Sequence, residues 1–136
     1  MRPMTKEWLK AAYDDILVIE KIYSDELLSH MTAFHSQQCA EKSFKAILEE
    51  NEIEFPKIHK LRKLQNILPV AIDIQDVFII KTLDELYIES RYPGDMGLLP
   101  YGKPTLENAK EFYEFAQDIF NQVCILLDID LEEIKK

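Results

Sequence analysis

The sequence predicts an all-α protein, an antiparallel four-helix up-and-down bundle with an additional short helix. Apolar residues recur about every 3.6 positions through most of the 136 residues. All three Gly lie between positions 94 and 102, so long stretches are free of this helix breaker. Short connections between the periodic stretches favour antiparallel neighbours. We expect one domain over residues 1–136, with helices over residues 5–28, 29–51, 59–68, 73–90 and 105–127.

The first predicted helix begins near Thr5, which follows a proline and is a plausible N-cap. Asp15 falls within its apolar stripe. Because an unpaired buried charge is strongly unfavourable, we expect a partner such as Lys42, Lys45 or Arg91. The alternative is that the stripe is narrower and leaves Asp15 exposed. The stripe consists of Trp8, Ala11, Ala12, Ile16, Ile19, Ile22 and Tyr23.

The second predicted helix carries an apolar stripe beside a polar line. At about 100° per residue, the helical spacing gathers Ala33, Gln37, Ala40, Phe44, Ile47 and Leu48 on one face. The adjacent line contains Phe34, Gln38, Glu41 and Lys45. Gln37 lies inside the apolar stripe, where it needs a hydrogen-bond partner or costs roughly 1–3 kcal/mol. We therefore expect this helix to be central and to carry a site.

The third and fourth predicted helices follow a break at Pro56, which disfavours helix at the preceding residue. His59 would lie near the start of the short third helix, where a capping or partly buried role is commoner than catalysis. The run 77–80 alone could be a buried strand, but the helical period continues after it. The expected core side of the fourth helix is Val77, Ile80, Leu83, Leu86 and Tyr87.

A segment rich in Gly and Pro, residues 94–104, separates the fourth helix from the last. Such a loop is often functional, but a slack connection explains it equally well. Thr105 is the expected cap of the last helix. The charged tail, residues 128–136, either extends that helix or frays. The wide apolar face of the helix consists of Ala109, Phe112, Phe115, Ala116, Ile119, Phe120, Val123 and Leu127.

The net charge of −9 argues against broad binding to nucleic acid or to an anionic membrane, while leaving room for a small local basic site. No apolar run approaches the length of a membrane span, and the N-terminus lacks the apolar core of a signal peptide. A cytoplasmic location follows.

Cys39 and Cys124 show no metal-ligand spacing, so we expect two reduced thiols, no metal and no cofactor. Apolar residues on the first and last helices suggest a further buried surface, for which a homodimer is the simplest explanation.

The chain resembles the HEPN domain family over roughly residues 8–127. The resemblance rests on Phe-His-x-Gln-Gln-x-x-Glu-Lys at positions 34–42 and Arg-Tyr-Pro at 91–93, with further matches at 8–16 and 59–61. It implies a small helical bundle, commonly dimeric and often encoded beside a minimal nucleotidyltransferase as a toxin–antitoxin pair. Many members of the family are metal-independent ribonucleases, and others bind nucleotides or act only as partners.

The sequence departs from the pattern of the active ribonucleases in this family, in which an Arg is followed four to six residues later by His. At those distances Arg91 is followed by Asp95, Met96 and Gly97, and no His occurs after His59. Histidine is suited to acid–base chemistry near neutral pH. The resemblance therefore predicts a nucleotide- or nucleic-acid-binding or interaction subunit of a HEPN–nucleotidyltransferase pair.

The predicted ligand site combines the second helix with the end of the fourth. Arg91 would hold a phosphate in a bidentate fashion, Lys45 would add a point charge, and Tyr92 would stack on a base. The full predicted set is His35, Gln38, Glu41, Lys45, Arg91, Tyr92 and Asp95.

Three alternatives remain open. The charged groups could form only an internal ion-pair network that fixes the register of the helices. The protein could instead be a metal-independent ribonuclease in which Arg91 acts with His35 or His59. It could also be an interaction module whose 94–104 loop is buried or modified by a nucleotidyltransferase.

Overall fold

Helices make up the regular structure of the described chain. The structure, a computed structural model, describes residues 1–55, 57–89 and 103–135, and these contain no strand. The predicted all-α class and helical bundle are confirmed. The helices are α1 (Pro3–Ile22), α2 (Ser29–Glu50), α3 (Leu61–Ile67), α4 (Val77–Glu89), α5 (Leu106–Leu126) and α6 (Leu131–Lys135), with a 3-10 turn at Glu26–Leu28.

The direction of the long helices follows from their cross-contacts. The Thr5 hydroxyl donates to Glu50 Oε1 at 2.9 Å, and Lys42 Nζ donates to Asp15 Oδ2 at 2.8 Å, so α1 and α2 are antiparallel. Ring contacts of Tyr13 with Phe120 and of Tyr23 with Tyr113 show that α5 is antiparallel to α1. Consequently α2 and α5 run in the same direction.

Helix α2 lies at the centre, where it packs against α1, α5, α4 and α3. Small side chains on α2, among them Ser36 and Ala40, are fully buried. They let α5 approach so closely that the Cys39 thiol lies 3.8 Å from the Ala116 carbonyl oxygen, to which it donates. The large Phe44 fills the core beside them. The prediction that the second helix is central is confirmed.

The ends of α1 differ from the prediction. The helix begins at Pro3, and Thr5 is a buried residue inside its first turn, where its hydroxyl bonds Glu50 across the helix pair. Thr5 is therefore a tertiary contact, not a cap. The helix stops at Ile22, because the chain then makes the 3-10 turn, in which the Leu27 N–H donates to the Asp25 carboxylate.

The start of α4 also differs. The helix begins at Val77, four residues later than predicted, and the Asp76 carboxylate accepts from the N–H of Phe78. Val77 was expected in the core but is 51% exposed, whereas Ile80, Leu83 and Leu86 are buried as predicted. The first turn of α4 thus extends beyond the core.

Among the remaining helix ends, the start of α5 agrees with the prediction, whereas the start of α3 and the C-terminal tail differ from it. Thr105 caps α5 through a reciprocal capping box with Asn108, as predicted. Helix α3 begins at Leu61, so His59 precedes it. The tail forms the separate helix α6, which is anchored by the buried side chain of Ile134. Among the described helices, none has both the length and the apolar character required to cross a membrane.

Candidate functional site

A hydrogen-bonded network is buried in the middle of α2. The Gln37 side chain is fully buried, and its Nε2 donates to Glu41 Oε1 at 3.2 Å and to the His59 carbonyl oxygen at 2.6 Å. Its Oε1 accepts from Gln38 Nε2 at 2.7 Å. The expectation that Gln37 needs partners is confirmed, and one of them holds the chain between α2 and α3 against α2.

Lys45 closes the inner end of this network. Its ammonium donates to Glu41 Oε2 at 2.9 Å and lies 5.3 Å and 5.7 Å from the ring centroids of Trp8 and Phe55. The side chain is only 7% exposed. A carboxylate and two aromatic faces therefore compensate for the lost hydration of the ammonium.

His59 forms the outer end of the network. Its Nδ1 lies 3.3 Å from Glu41 Oε2, and its ring is 44% exposed. Since an ionised carboxylate can only accept, Nδ1 carries the proton when the ring is neutral. Nε2 then faces away from the carboxylate as an acceptor, and no described residue makes a hydrogen bond to it.

A second carboxylate–histidine pair joins α1 and α2. Asp15 is buried on α1, and its two oxygens contact His35 Nδ1 at 2.9 Å and Lys42 Nζ at 2.8 Å. The prediction of a partnered Asp15 is confirmed for Lys42. The second partner, His35, was not anticipated, because the helical pattern alone does not fix which residues of α2 lie opposite Asp15.

Aromatic rings connect the two histidines to the last turns of α4. The Phe34 ring contacts His35 edge-on at 5.2 Å and stacks with Tyr87 at 6.2 Å. Tyr87 also lies 5.6 Å from the His59 ring. Both imidazoles are thus grouped near the end of α4, and in the sequence Arg91 follows Tyr87 by four positions.

The predicted site residues fall into three groups. Gln38, Glu41 and Lys45 belong to the network around Gln37, whereas His35 belongs to the neighbouring pair with Asp15. The other three, Arg91, Tyr92 and Asp95, lie outside the described residues, as does most of the 94–104 loop. Trp8 and Phe55, which enclose Lys45, were not predicted, because they come from other segments of the chain.

Asp84 is a further buried carboxylate that the sequence reasoning missed. Its oxygens accept from the N–H groups of Leu61 at 2.7 Å and Arg62 at 3.2 Å, so it caps α3 from α4. Burial raises the pKa of Asp84 above its ordinary value, against the lowering effect of these hydrogen bonds. Asp84 lies four positions after the buried Ile80, so the argument used for Asp15 would have found it.

The two cysteines offer no nucleophile. Burial raises the pKa of the Cys39 thiol well above its usual range and that of Cys124 to about 11. Both therefore remain protonated at neutral pH. In the part of the chain that the structure describes, no group of three or more His, Cys, Asp or Glu side chains is placed to hold a metal ion.

These features define a class: a small helical bundle whose central helix contributes one member to each of two carboxylate–histidine pairs, near the end of a neighbouring helix. The chain belongs to the HEPN domain family, since the family's sequence model matches residues 5–126. No curated protein and no solved structure matches the chain.

Proposed function

We propose that this HEPN protein is a non-catalytic subunit that binds a nucleotide or RNA phosphate beside the end of α4, in a toxin–antitoxin-like pair with a minimal nucleotidyltransferase. One observation carries the proposal: two imidazoles, each oriented by a carboxylate, lie near the end of α4. His59 contacts Tyr87 directly, and His35 contacts Phe34, which stacks with Tyr87. His59 is 44% and His35 21% exposed there, whereas Glu41 and Lys45 are buried.

The chemistry of this surface suits a phosphate ester. Arg91 supplies a bidentate guanidinium, Tyr92 supplies a stacking ring, and Asp95 accepts hydrogen bonds from a ribose or base. His35 and His59 contribute their outer ring nitrogens. In this proposal Glu41 and Lys45 act as positioning residues, since Glu41 orients His59 and Lys45 neutralises Glu41.

The proposed assembly is a cytoplasmic homodimer associated with the nucleotidyltransferase. Exposed apolar side chains on α1 and α5 support a contact between copies, because burying them is favourable. They include Leu17 and Val18 on α1 and Ile125 and Leu126 on α5. Sedimentation of the purified protein measures the stoichiometry.

The test compares Arg91→Ala with Lys110→Ala, a matched loss of one cation on the exposed side of α5. ATP and a short single-stranded RNA are titrated against each protein, with unfolding midpoints measured in parallel. We expect Arg91→Ala to weaken binding of the nucleotide or the RNA about tenfold or more, with its midpoint unchanged. If Arg91→Ala instead lowers the midpoint and neither probe binds the parent protein, Arg91 belongs to an internal ion-pair network.

A second candidate, a metal-independent ribonuclease, is favoured by the two carboxylate–histidine pairs. A carboxylate at Nδ1 makes the opposite nitrogen a general base, as RNA cleavage through the 2′-hydroxyl requires. The same RNA, incubated with EDTA, provides the assay. Cleavage that disappears in both His59→Ala and Arg91→Ala but persists in Lys110→Ala would replace the non-catalytic proposal with this one.

A further inference from the structure

A surface of mixed character lies along α3 and the first half of α4. One cavity of about 450 Å³ is lined by Lys60, Arg62 and Lys81. A second cavity of about 550 Å³ is lined by Val70 and Val77, and it shares Arg62 with the first. Together with Phe78 these six residues form what we call the α3–α4 surface.

The cations of this surface outnumber the carboxylates beside them, since four Lys or Arg and two acidic residues line the first cavity. None of Lys60, Arg62 and Lys81 forms an ion pair with a described carboxylate, in contrast to Arg2, which pairs with Glu49 and Glu52. Residues 57–72 contain four Lys or Arg and no carboxylate, in a chain of net charge −9. Of the two carboxylates that line the first cavity, Asp84 accepts from backbone N–H groups of α3 and also interacts electrostatically with Lys60. The other, Glu85, is exposed and forms no ion pair with a described cation.

The apolar side chains of this surface are unusually exposed. Val70 is 41%, Val77 51% and Phe78 72% exposed. Phe78 and Lys81 are three positions apart on α4, so the apolar and cationic side chains are neighbours on one helix face. A patch that joins a ring, aliphatic groups and cations resembles the composition of protein interfaces, in which aromatic residues and Arg are enriched.

We propose that the α3–α4 surface binds an acidic protein segment that also carries apolar side chains. Its carboxylates would pair with Lys60, Arg62 and Lys81, and its apolar side chains would cover Val70, Val77 and Phe78. A nucleic acid fits less well, because it would leave the aliphatic groups uncovered and would be repelled by the net charge of the whole chain. This binding is independent of the phosphate site proposed beside the end of α4.

The test selects peptides from a random display library on the immobilised protein. We expect the enriched peptides to combine Asp or Glu with Leu, Ile or Phe. A synthetic copy of the most enriched peptide should bind Arg62→Glu/Lys81→Glu at least about tenfold more weakly and should weaken with added salt. Val77→Ser/Phe78→Ser should also weaken it. The matched control, Lys21→Glu/Lys110→Glu, carries the same change of charge on exposed residues of α1 and α5 and should bind like the parent.

Three results would overturn the proposal. The first is a selection without enrichment of acidic and apolar residues together. The second is an equal loss of binding in the control variant. The third is that a random single-stranded RNA pool binds the parent, loses binding in Arg62→Glu/Lys81→Glu, and the selected peptide shows no such dependence. Circular dichroism of each variant confirms folding, and because all six substituted positions are exposed, the fold should be retained.

Discussion

Burying an ammonium group costs free energy that only close partners recover. The Lys45 ammonium has Glu41 at 2.9 Å and lies over the neighbouring rings of Trp8 and Phe55. Glu41 in turn accepts from Gln37 and contacts His59. The consequence is that the orientation of the exposed His59 ring depends on a charge pair in the core.

This dependence predicts a non-additive effect of two substitutions. Lys45→Met alone should lower the free energy of unfolding by about 3 kcal/mol, because Glu41 stays buried without its cation. The double variant Glu41→Leu/Lys45→Met should lose less than the sum of the single losses. Urea denaturation followed by circular dichroism measures each value.

Lys42→Met serves as the control for this cycle. Its partner Asp15 keeps the contact with His35, and Lys42 is 23% exposed, so its loss should be smaller, about 1 kcal/mol. If the double variant instead loses as much unfolding free energy as the two single variants together, Glu41 and Lys45 are not coupled. His59 is then held by other groups.

The sequence predicted the residues of the site that share one helix, and little beyond them. Gln37, Glu41 and Lys45 could be grouped because helical spacing alone places them together. The contacts of His35 with Asp15 and of Lys45 with Trp8 depend on how α1 and α2 are aligned. The contact of Lys45 with Phe55 depends on the path of the chain after α2. Neither is encoded in the spacing within one helix.

At the scale of elements, the local cap at Thr105 was predicted, the local cap at Asp76 was missed, and a cap from a distant residue could not be found from local sequence. Thr105 and Asn108 form a capping box within one turn of α5. The start of α3 is instead capped by Asp84, which lies 23 residues away from Leu61. In the same way, the role of Thr5 as a partner of Glu50 could not be read from the start of α1 alone.

The contact between the start of α1 and the end of α2 predicts a pH dependence. Glu50 Oε1 accepts from the Arg2 N–H at 3.0 Å and from the Thr5 hydroxyl at 2.9 Å. The Arg2 backbone hydrogen bond, the largest cause, lowers the pKa of Glu50 below its ordinary value of 4.5. Because the folded pKa is the lower one, Glu50 contributes stability above pH 4.5 that is lost as pH falls through the folded pKa.

The measurement compares the parent with Glu50→Gln by urea denaturation at a series of acidic and neutral pH values. The difference in unfolding free energy should be largest near neutral pH and should shrink on acidification. Thr5→Val keeps the Glu50 carboxylate and removes one of its donors, so it should lose part of the unfolding free energy that Glu50→Gln loses at neutral pH. A difference for Glu50→Gln that stays constant across the series would contradict the assignment.

At the scale of the whole molecule, the arrangement around α2 sets the order in which parts of the bundle open. Helix α2 is covered by α1, α5, α4 and α3, and most of its residues from 36 to 48 are buried. Helix α6 has five residues and one buried side chain, Ile134. Amides inside α2 can therefore exchange only when several helices separate, whereas α6 can detach alone.

Native-state hydrogen exchange tests this order. We expect amides of α2 between residues 36 and 48 to exchange no faster than those of any other helix, with opening free energies equal to that of global unfolding. Amides of α6 should exchange much faster, and Ile134→Ala should accelerate them further. In the same variant, the opening free energies of the slowest α2 amides should change only by the change in global stability. If amides of α1 or α5 exchange more slowly than those of α2, the bundle is organised around that helix instead. The orientation of both histidines would then depend on it.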